Sequence, residues 1–128
     1  MIILAVDYGL RRIGLAISSG EIVQTLPVIR IKNPEEALLK LNALIDKQQV
    51  AKVIIGLPTP DRIGVGKFAN KLGQVSNIPI EFRDETLTSQ LSFERLRELK
   101  RAKKRRRIID SFSAALLLQE VLDERKQL

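Results

Sequence analysis

Hydrophobic residues fall first into three short runs near the start of the chain. Residues 2–7, 12–18 and 21–31 are rich in isoleucine, leucine, valine and alanine, and glycine-containing turns separate them. Apolar runs of this length are typical of β-strands. Pro27 in the third run indicates an edge strand or a bulge, because proline cannot donate a hydrogen bond to a neighbouring strand. The pattern predicts an antiparallel meander of three strands.

After residue 32 the hydrophobic spacing changes to that of a helix. Asn33 is a favoured N-cap residue, Pro34 suits the first helical position, and Glu36 stands where a capping box places its acid. The spacing predicts a helix from residue 34 to residue 48. Its apolar stripe consists of Leu38, Leu41, Leu44 and Ile45.

The remainder of the chain alternates between strand-like and helix-like segments. Strands are predicted at 51–58 and 78–85, and helices at 67–76, 88–99 and 108–124. The order of elements is therefore β-β-β-α-β-α-β-α-α. A chain of 128 residues suits one domain. We expect a single α/β domain over residues 1–128, in which helices cover a mixed five-stranded sheet with three antiparallel strands followed by parallel ones.

Carboxylates stand at the ends of two predicted strands and at the start of the last helix. Asp7 ends the first strand, and Asp84 and Glu85 end the last one. Crossover connections allow these two strands to end on the same side of the sheet, where ligand sites of open α/β sheets cluster. Asp110 lies in the first turn of the final helix. At about 100° per residue, it shares the core-facing stripe of that helix with Ala114, Leu117, Leu118 and Val121.

Each of these acids also has a local structural explanation. Asp7 could accept hydrogen bonds from the turn after it, and the other acids could stabilise the start of a helix. Together, however, they converge on one edge of one sheet, where neighbouring carboxylates repel each other unless a cation neutralises them. Mg²⁺ or Mn²⁺ is the natural cation for oxygen ligands. Such a site supports in-line phosphoryl displacement by an activated water.

Composition excludes several other chemistries. The chain contains neither cysteine nor histidine. Disulfides, cysteine- or histidine-ligated metal sites and imidazole general bases are therefore excluded, and carboxylates, hydroxyls, lysines and arginines remain. The net charge of +7 favours a polyanionic partner, most commonly nucleic acid. A basic surface without such a partner is the alternative.

Much of this charge is concentrated in residues 100–107, which we call the basic run. Its cations are Lys100, Arg101, Lys103, Lys104, Arg105, Arg106 and Arg107. We interpret the run as a phosphate-binding segment, with Arg11 and Arg12 in the first turn as further candidates. A solvated segment, and ordinary surface ion pairs for the two turn arginines, are the alternatives. With one tyrosine and no tryptophan in the chain, base stacking is not expected to dominate.

One segment superficially resembles a nucleotide-binding loop. Residues 64–68 read GVGKF, but Asp61 stands where the motif requires its first glycine. Phe68 replaces the serine or threonine that would bind the magnesium ion of a nucleotide. The segment therefore does not predict a nucleotide site.

Four segments resemble a known family. These are VDYGLRRIGLAIS, VIIGLP, DETLTS and IIDSFSAALLLQEVLD, which in this order are similar to the YqgF/RuvX family. The resemblance implies an RNase H-like fold with helices on both faces of the sheet, similar to RuvC-type resolvases. It also implies a metal-dependent nuclease that trims the 5′ end of the small-subunit ribosomal RNA precursor. Holliday junction resolution and non-catalytic binding of RNA or DNA are the alternative functions.

By position, the resemblance assigns catalysis and metal binding to Asp7, Glu85 and Asp110. Asp84 is the substitute for Glu85, which is preferred because the corresponding strand of RuvC-type enzymes ends in glutamate. Strand alternation does not decide between the two. The chain departs from the family in the segment TPDRIGVGK and at Thr86, where arginine is usual. Both departures bear on substrate preference.

The cellular setting follows from what the sequence does not contain. The chain enters a strand-like run directly, without a basic leader, and no apolar segment approaches the ~20 residues that a bilayer requires. We expect a cytoplasmic protein without a membrane partner. The residues do not decide between a monomer and a homodimer.

Overall fold

The computed structural model describes residues 1–58, 60–84 and 106–126, with side chains described throughout except at 106–112, 125 and 126. The strands are β1 (Ile2–Tyr8), β2 (Arg12–Ser19), β3 (Ile22–Arg30), β4 (Lys52–Leu57) and β5 (Ile80–Asp84). The helices are α1 (Pro34–Gln48), α2 (Val65–Ser76) and α3 (Arg106–Lys126). The helix predicted at 88–99 lies outside the described residues, as do Glu85, Thr86 and positions 100–105 of the basic run.

The five strands form one mixed sheet in the order β3-β2-β1-β4-β5. Strand β2 pairs antiparallel with both β1 and β3. Strand β4 pairs parallel with both β1 and β5. The sheet therefore has the predicted arrangement, and the three parallel strands β1, β4 and β5 all end at the same edge.

Pro27 was predicted to mark an edge strand or a bulge, and the structure shows both features. Strand β3 lies at one edge of the sheet. Its register against β2 shifts between the pairs Ile13–Ile29 and Leu15–Leu26, so that two residues of β3, one of them Pro27, face a single residue of β2. This is a β-bulge, which accommodates the missing N–H of proline.

Helix α1 begins with the predicted cap. The side chain of Asn33 accepts a hydrogen bond of 2.8 Å from the N–H of Glu36. The Glu36 carboxylate reaches back to the N–H of Lys32 at 3.3 Å, one residue before the capping-box position, and forms an ion pair with Lys40 at 2.7 Å. The hydrogen bond from Lys40 is the main cause that lowers the pKa of Glu36. An N-cap of this kind contributes about 1 kcal/mol to stability.

Helices cover both faces of the sheet, and strand alternation divides the core between them. On one face, α1 and α2 pack against Leu4, Val6, Tyr8, Ile13, Leu15, Val53 and Ile55. On the other face, α3 packs through Ala114, Leu118 and Val121 against Ile3, Ala5, Ala16 and Ile54. Of the helices within the described ranges, none is both long and apolar enough to cross a membrane.

Candidate active site

Asp7 lies at the edge of the sheet where the three parallel strands end. Val6, Ile55 and Phe82 form one row across β1, β4 and β5. One residue further along each strand come Asp7, Gly56 and Arg83, of which the last two are directly paired. Because Ile3 and Ala5 face α3, alternation along β1 places Asp7 on the α3 face as well. Its side chain is partly buried there.

Glycines flank Asp7 on both neighbouring strands. Gly14 of β2 is its direct partner in the antiparallel pair, and Gly56 occupies the neighbouring position on β4. Since neither residue has a side chain, the α3 face carries no bulk from these two strands next to the carboxylate. We call the strip of sheet that lacks side chains at Gly14 and Gly56 the hollow beside Asp7.

The side chain of Leu117 closes one side of this hollow. A Cβ atom on Gly56 would lie 3.5 Å from Leu117 Cδ2, which is ordinary van der Waals contact. Ala114, one turn earlier on α3, is completely buried in the same cluster as Ala5. The predicted core-facing stripe is thus observed for the part of α3 whose side chains are described.

The side chain of Asp84 lies on the face of the sheet opposite to the side chain of Asp7. On β5, Ile80 packs into the core beneath α1 and α2, whereas Arg83 forms an ion pair with Glu124 of α3. Because side chains alternate along a strand, Asp84 lies on the same face of the sheet as Ile80. The side chain of Asp84 is exposed. Of the two acids predicted for this strand end, Asp84 does not share the face of Asp7. Glu85 lies outside the described residues.

Position 110 precedes Ala114 by one helical turn within α3. Its backbone is helical, as predicted, but the helix begins at Arg106, so position 110 lies in the second turn and not in the first as predicted. Its side chain lies outside the described part of the structure. Among the acids whose side chains are described, no three come close enough together to hold a metal ion. The proposed triad of Asp7, Glu85 and Asp110 thus has one member with a described side chain. The Asp7 carboxylate lies beside the hollow, and oxygen is the donor that Mg²⁺ and Mn²⁺ prefer.

The ion pair between Arg83 and Glu124 fixes the end of β5 to α3. The hydrogen bond that Arg83 donates to the Glu124 carboxylate is the main cause that raises the pKa of Arg83 above its ordinary value. The pair lies on the same face as Asp7, two strands away. Nothing in the sequence spacing connects positions 83 and 124, so this contact was not predicted.

The loop after β4 is organised by Asp61. Its two carboxylate oxygens accept hydrogen bonds from the N–H groups of Val65 at 2.8 Å and Gly66 at 2.9 Å. These bonds, led by the one from Gly66, lower the pKa of Asp61. Gly64 before the helix has a φ of 77°, a left-handed conformation that glycine adopts without strain. Helix α2 accordingly begins at residue 65, two residues before its predicted start, and its first amides bind the protein's own carboxylate.

Tyr8, the only tyrosine of the chain, is a core residue. Its ring stacks on Phe68 of α2, with ring centroids 4.0 Å apart and an interplanar angle of 19°. Burial, and to a smaller extent the charge of Glu35, raises the pKa of the Tyr8 hydroxyl. The Tyr8 ring therefore packs inside the protein and does not offer a surface for stacking on a base. Its stack with Phe68 holds the end of β1, next to Asp7, against α2.

Arginines gather beside the turn between β1 and β2. Arg11 is exposed and Arg12 is partly buried, and Arg12 lies directly opposite Arg30 in the β2–β3 pair. Lys32 follows as an exposed residue. Within the described ranges, none of the ion pairs involves Arg11, Arg12 or Arg30. Arg30 and Lys32 were not predicted as site residues, because only the antiparallel register brings them next to Arg12.

The first residues of α3 belong to the basic run. The helix begins at Arg106 rather than at residue 108 as predicted, so Arg106 and Arg107 form part of its first turn. The other cations of the run, at positions 100–105, lie outside the described residues. Their contact with nucleic acid stays a prediction.

The chain is similar in sequence and in fold to known proteins. A family model described as "RuvX: Holliday junction resolvase" matches residues 1–124. A Chloroflexus aurantiacus protein named "Putative pre-16S rRNA nuclease" is 38% identical over 136 residues, covering 98% of this chain and 88% of its own. A protein of the same name from Caldanaerobacter subterraneus is 36% identical over 139 residues, covering 98% of this chain and 99% of its own.

Solved structures agree on the fold. Thermus thermophilus RuvC in complex with a Holliday junction substrate superimposes with a TM-score of 0.67 at 9% identity, covering 99% of this chain and 96% of RuvC. The fowlpox virus Holliday junction resolvase gives a TM-score of 0.57 at 16% identity, covering 95% of this chain and 99% of its own. The predicted RNase H-like fold is confirmed.

Proposed function

Since the chain belongs to the RuvX family, we propose that it is a divalent-metal-dependent nuclease that trims the 5′ end of the 16S rRNA precursor in the cytoplasm. The family match supports hydrolysis of phosphodiester bonds in nucleic acid. The names of relatives at 36–38% identity support the ribosomal RNA precursor as the substrate. The net charge of +7 suits a polyanionic substrate of this kind.

The observation that carries this proposal is the hollow around Asp7. A carboxylate with glycine on both neighbouring strands, at the edge where three parallel strands end, has little use as a packing element. A ligand would reach the carboxylate across this strip of sheet without side chains. Strand ends of open α/β sheets are also where such ligands bind.

Asp7, Glu85 and Asp110 are the residues that would hold the metal. Asp84 points to the other face of the sheet, which supports Glu85 as the acid from this strand end. When bound, Mg²⁺ or Mn²⁺ would supply an activated water and stabilise the leaving oxygen of the phosphodiester. Three carboxylates suit this role because the chain has neither histidine nor cysteine to offer.

The protein's own cations would bind and orient the substrate. Arg11, Arg12 and the basic run would bind phosphates on either side of the scissile bond. Stacking on bases would contribute little, since Tyr8 is buried against Phe68. We therefore expect recognition of backbone and shape rather than of base sequence.

The test is a cleavage assay with a 5′-extended 16S rRNA precursor, in Mg²⁺, in Mn²⁺ and in EDTA. Wild-type protein is expected to shorten the 5′ end only when metal is present. Asp7→Asn and Asp110→Asn are each expected to reduce the rate at least about 100-fold, because each removes a charged metal ligand. Asp46→Asn, which changes an exposed acid on α1, is the matched control. Cleavage that both site variants retain in full would refute the assignment.

Resolution of Holliday junctions is the second candidate function. The description of the family and the likeness to RuvC in its junction complex favour it. A four-way DNA junction in the same assay separates the two functions: symmetric incision of the junction with no shortening of the RNA would favour resolution. Binding of either substrate without any cleavage would instead indicate a non-catalytic binding factor.

A further inference from the structure

We propose that Arg30 and Lys32 join Arg11 and Arg12 in a phosphate-binding surface, the basic corner, on which the substrate strand lies beside Asp7. The inference rests on the proposed function, since its ligand is the phosphate backbone of that substrate. Its new element is Arg30, which lies 18 residues from Arg12 in the chain and directly opposite it in the sheet.

The pairing of Arg12 with Arg30 places two like charges opposite each other in the described part of the protein. The two residues are direct partners in the antiparallel β2–β3 ladder, so their side chains leave the same face of the sheet next to each other. Like charges in this position repel, whereas opposite charges would attract. In the described part of the chain neither arginine has an acidic partner in an ion pair. An external anion between the two guanidinium groups would remove the repulsion.

The arginine pair lies on the same face of the sheet as Asp7. Gly14 is the partner of Asp7, and Arg12 precedes Gly14 by two residues on the same strand. Because side chains alternate along a strand, Arg12 lies on the same face of the sheet as Asp7, and so does Arg30 opposite it. Two residues of strand correspond to about 7 Å and neighbouring strands lie about 4.8 Å apart, so in the plane of the sheet Arg12 lies roughly 8 Å and Arg30 roughly 12 Å from Asp7. A strand with one phosphate near Asp7 would present a neighbouring phosphate to the pair.

Backbone contacts hold the basic corner in place. The carbonyl of Arg11 accepts a hydrogen bond of 3.0 Å from the N–H of Ile31, and the carbonyl of Arg30 accepts one of 2.9 Å from Lys40 Nζ. A Cβ on Gly9 would lie only 2.7 Å from the carbonyl oxygen of Arg12, so the tight turn requires glycine. The arginines thus extend from a fixed backbone, which lowers the entropic cost of binding an anion.

Guanidinium groups suit the proposed ligand. Arginine presents a planar set of donors that binds phosphate oxygens in a bidentate manner. Lys32 lies near Glu36, whose carboxylate is already bound to Lys40 and to the Lys32 N–H. Glu36 therefore does not cancel the charge of the basic corner, whose net charge stays positive. A surface that binds a phosphate backbone needs such a positive charge.

The test measures binding of fluorescein-labelled precursor RNA at several salt concentrations, in EDTA to prevent cleavage. Arg30→Gln and Arg12→Gln are expected to weaken binding and to lower the slope of log K against log salt by about 0.7 to 0.9 each. Lys47→Gln is the matched control, since it removes one exposed charge at the far end of α1. It is expected to leave the slope unchanged.

Thermal unfolding without RNA provides the second measurement. Arg30→Gln removes a like-charge pair, so its Tm is expected to equal or exceed that of the wild type. Weaker binding therefore could not be attributed to unfolding. If the wild type cleaves the RNA while Arg30→Gln keeps the full salt slope, this inference is wrong and the proposed function stands. If the wild type neither binds nor cleaves the RNA, the proposed function is wrong and the inference falls with it.

Discussion

The side chain of Leu117 on α3 lies over Gly56 of β4. A Cβ atom added to Gly56 would be 3.5 Å from Leu117 Cδ2. The contact shows how closely the last helix approaches the strand next to Asp7. It also shows that this position has room for a methyl group and for little more. The size of the residue at position 56 therefore connects helix packing with access to the candidate site.

Substitution of Gly56 is expected to give a graded result. Gly56→Ala adds only the Cβ at ordinary contact distance and should change stability little. Gly56→Leu must displace Leu117 or fill the hollow beside Asp7, and overpacking of this kind costs about 1–3 kcal/mol. Urea unfolding measures the stability of both variants, and the RNA cleavage assay measures access to the site. Equal loss of activity in both variants would contradict the role given to the hollow.

The two acids at the end of β5 are expected to differ in function. Asp84→Asn should cleave RNA at close to the wild-type rate, because Asp84 is exposed on the face opposite to Asp7. Glu85→Gln should lose at least about 100-fold in rate, which corresponds to about 2.7 kcal/mol of transition-state stabilisation. Each variant is the matched control for the other, since both convert a neighbouring carboxylate to an amide. The reverse order of activities would assign the metal to Asp84.

Asp61 is expected to make the stability of the protein depend on pH. Because its pKa is lowered in the folded state, the folded protein favours the carboxylate, and the resulting stabilisation is present above the unfolded pKa. It is lost as the pH falls below about 4 and the carboxyl group takes up a proton. Asp61→Asn should therefore be less stable than the wild type at pH 7 and approach it in acid. Urea unfolding at both pH values measures this, and a difference that grows in acid would contradict it.

The basic run is expected to contribute to the salt dependence of binding. Replacing Lys103, Lys104, Arg105 and Arg106 with serine should weaken RNA binding and lower the salt slope by about one unit for each phosphate that the variant no longer binds. The slope from a salt titration separates phosphate binding from simple solvation of the run. Lys47→Ser provides the comparison for one charge removed elsewhere. An unchanged slope in the quadruple variant would show that the run is a solvated segment.

The sequence by itself determined the elements that depend on local interactions. The cap of α1 at Asn33, the edge position of Pro27 and the described part of the α3 stripe were all predicted correctly, because each follows from neighbours within a few residues. The order of the described strands and helices followed from the same periodicities. The family was also recognisable, since its motifs are short segments that survive in the chain.

Tertiary structure alone decided which of these residues meet. Alternation along β5 places Asp84 on the same face of the sheet as Ile80. Because helices cover both faces, the sequence could not show whether this face is also the face of Asp7. The ion pair of Arg83 with Glu124 of α3 shows that Arg83, and not Asp84, lies on the α3 face that Asp7 shares. The pairing of Arg12 with Arg30 likewise depends on strand register, which is set by the burial of the whole sheet. Local patterns fix the conformation of a segment, whereas the distance between remote charges is fixed only when the segments pack together.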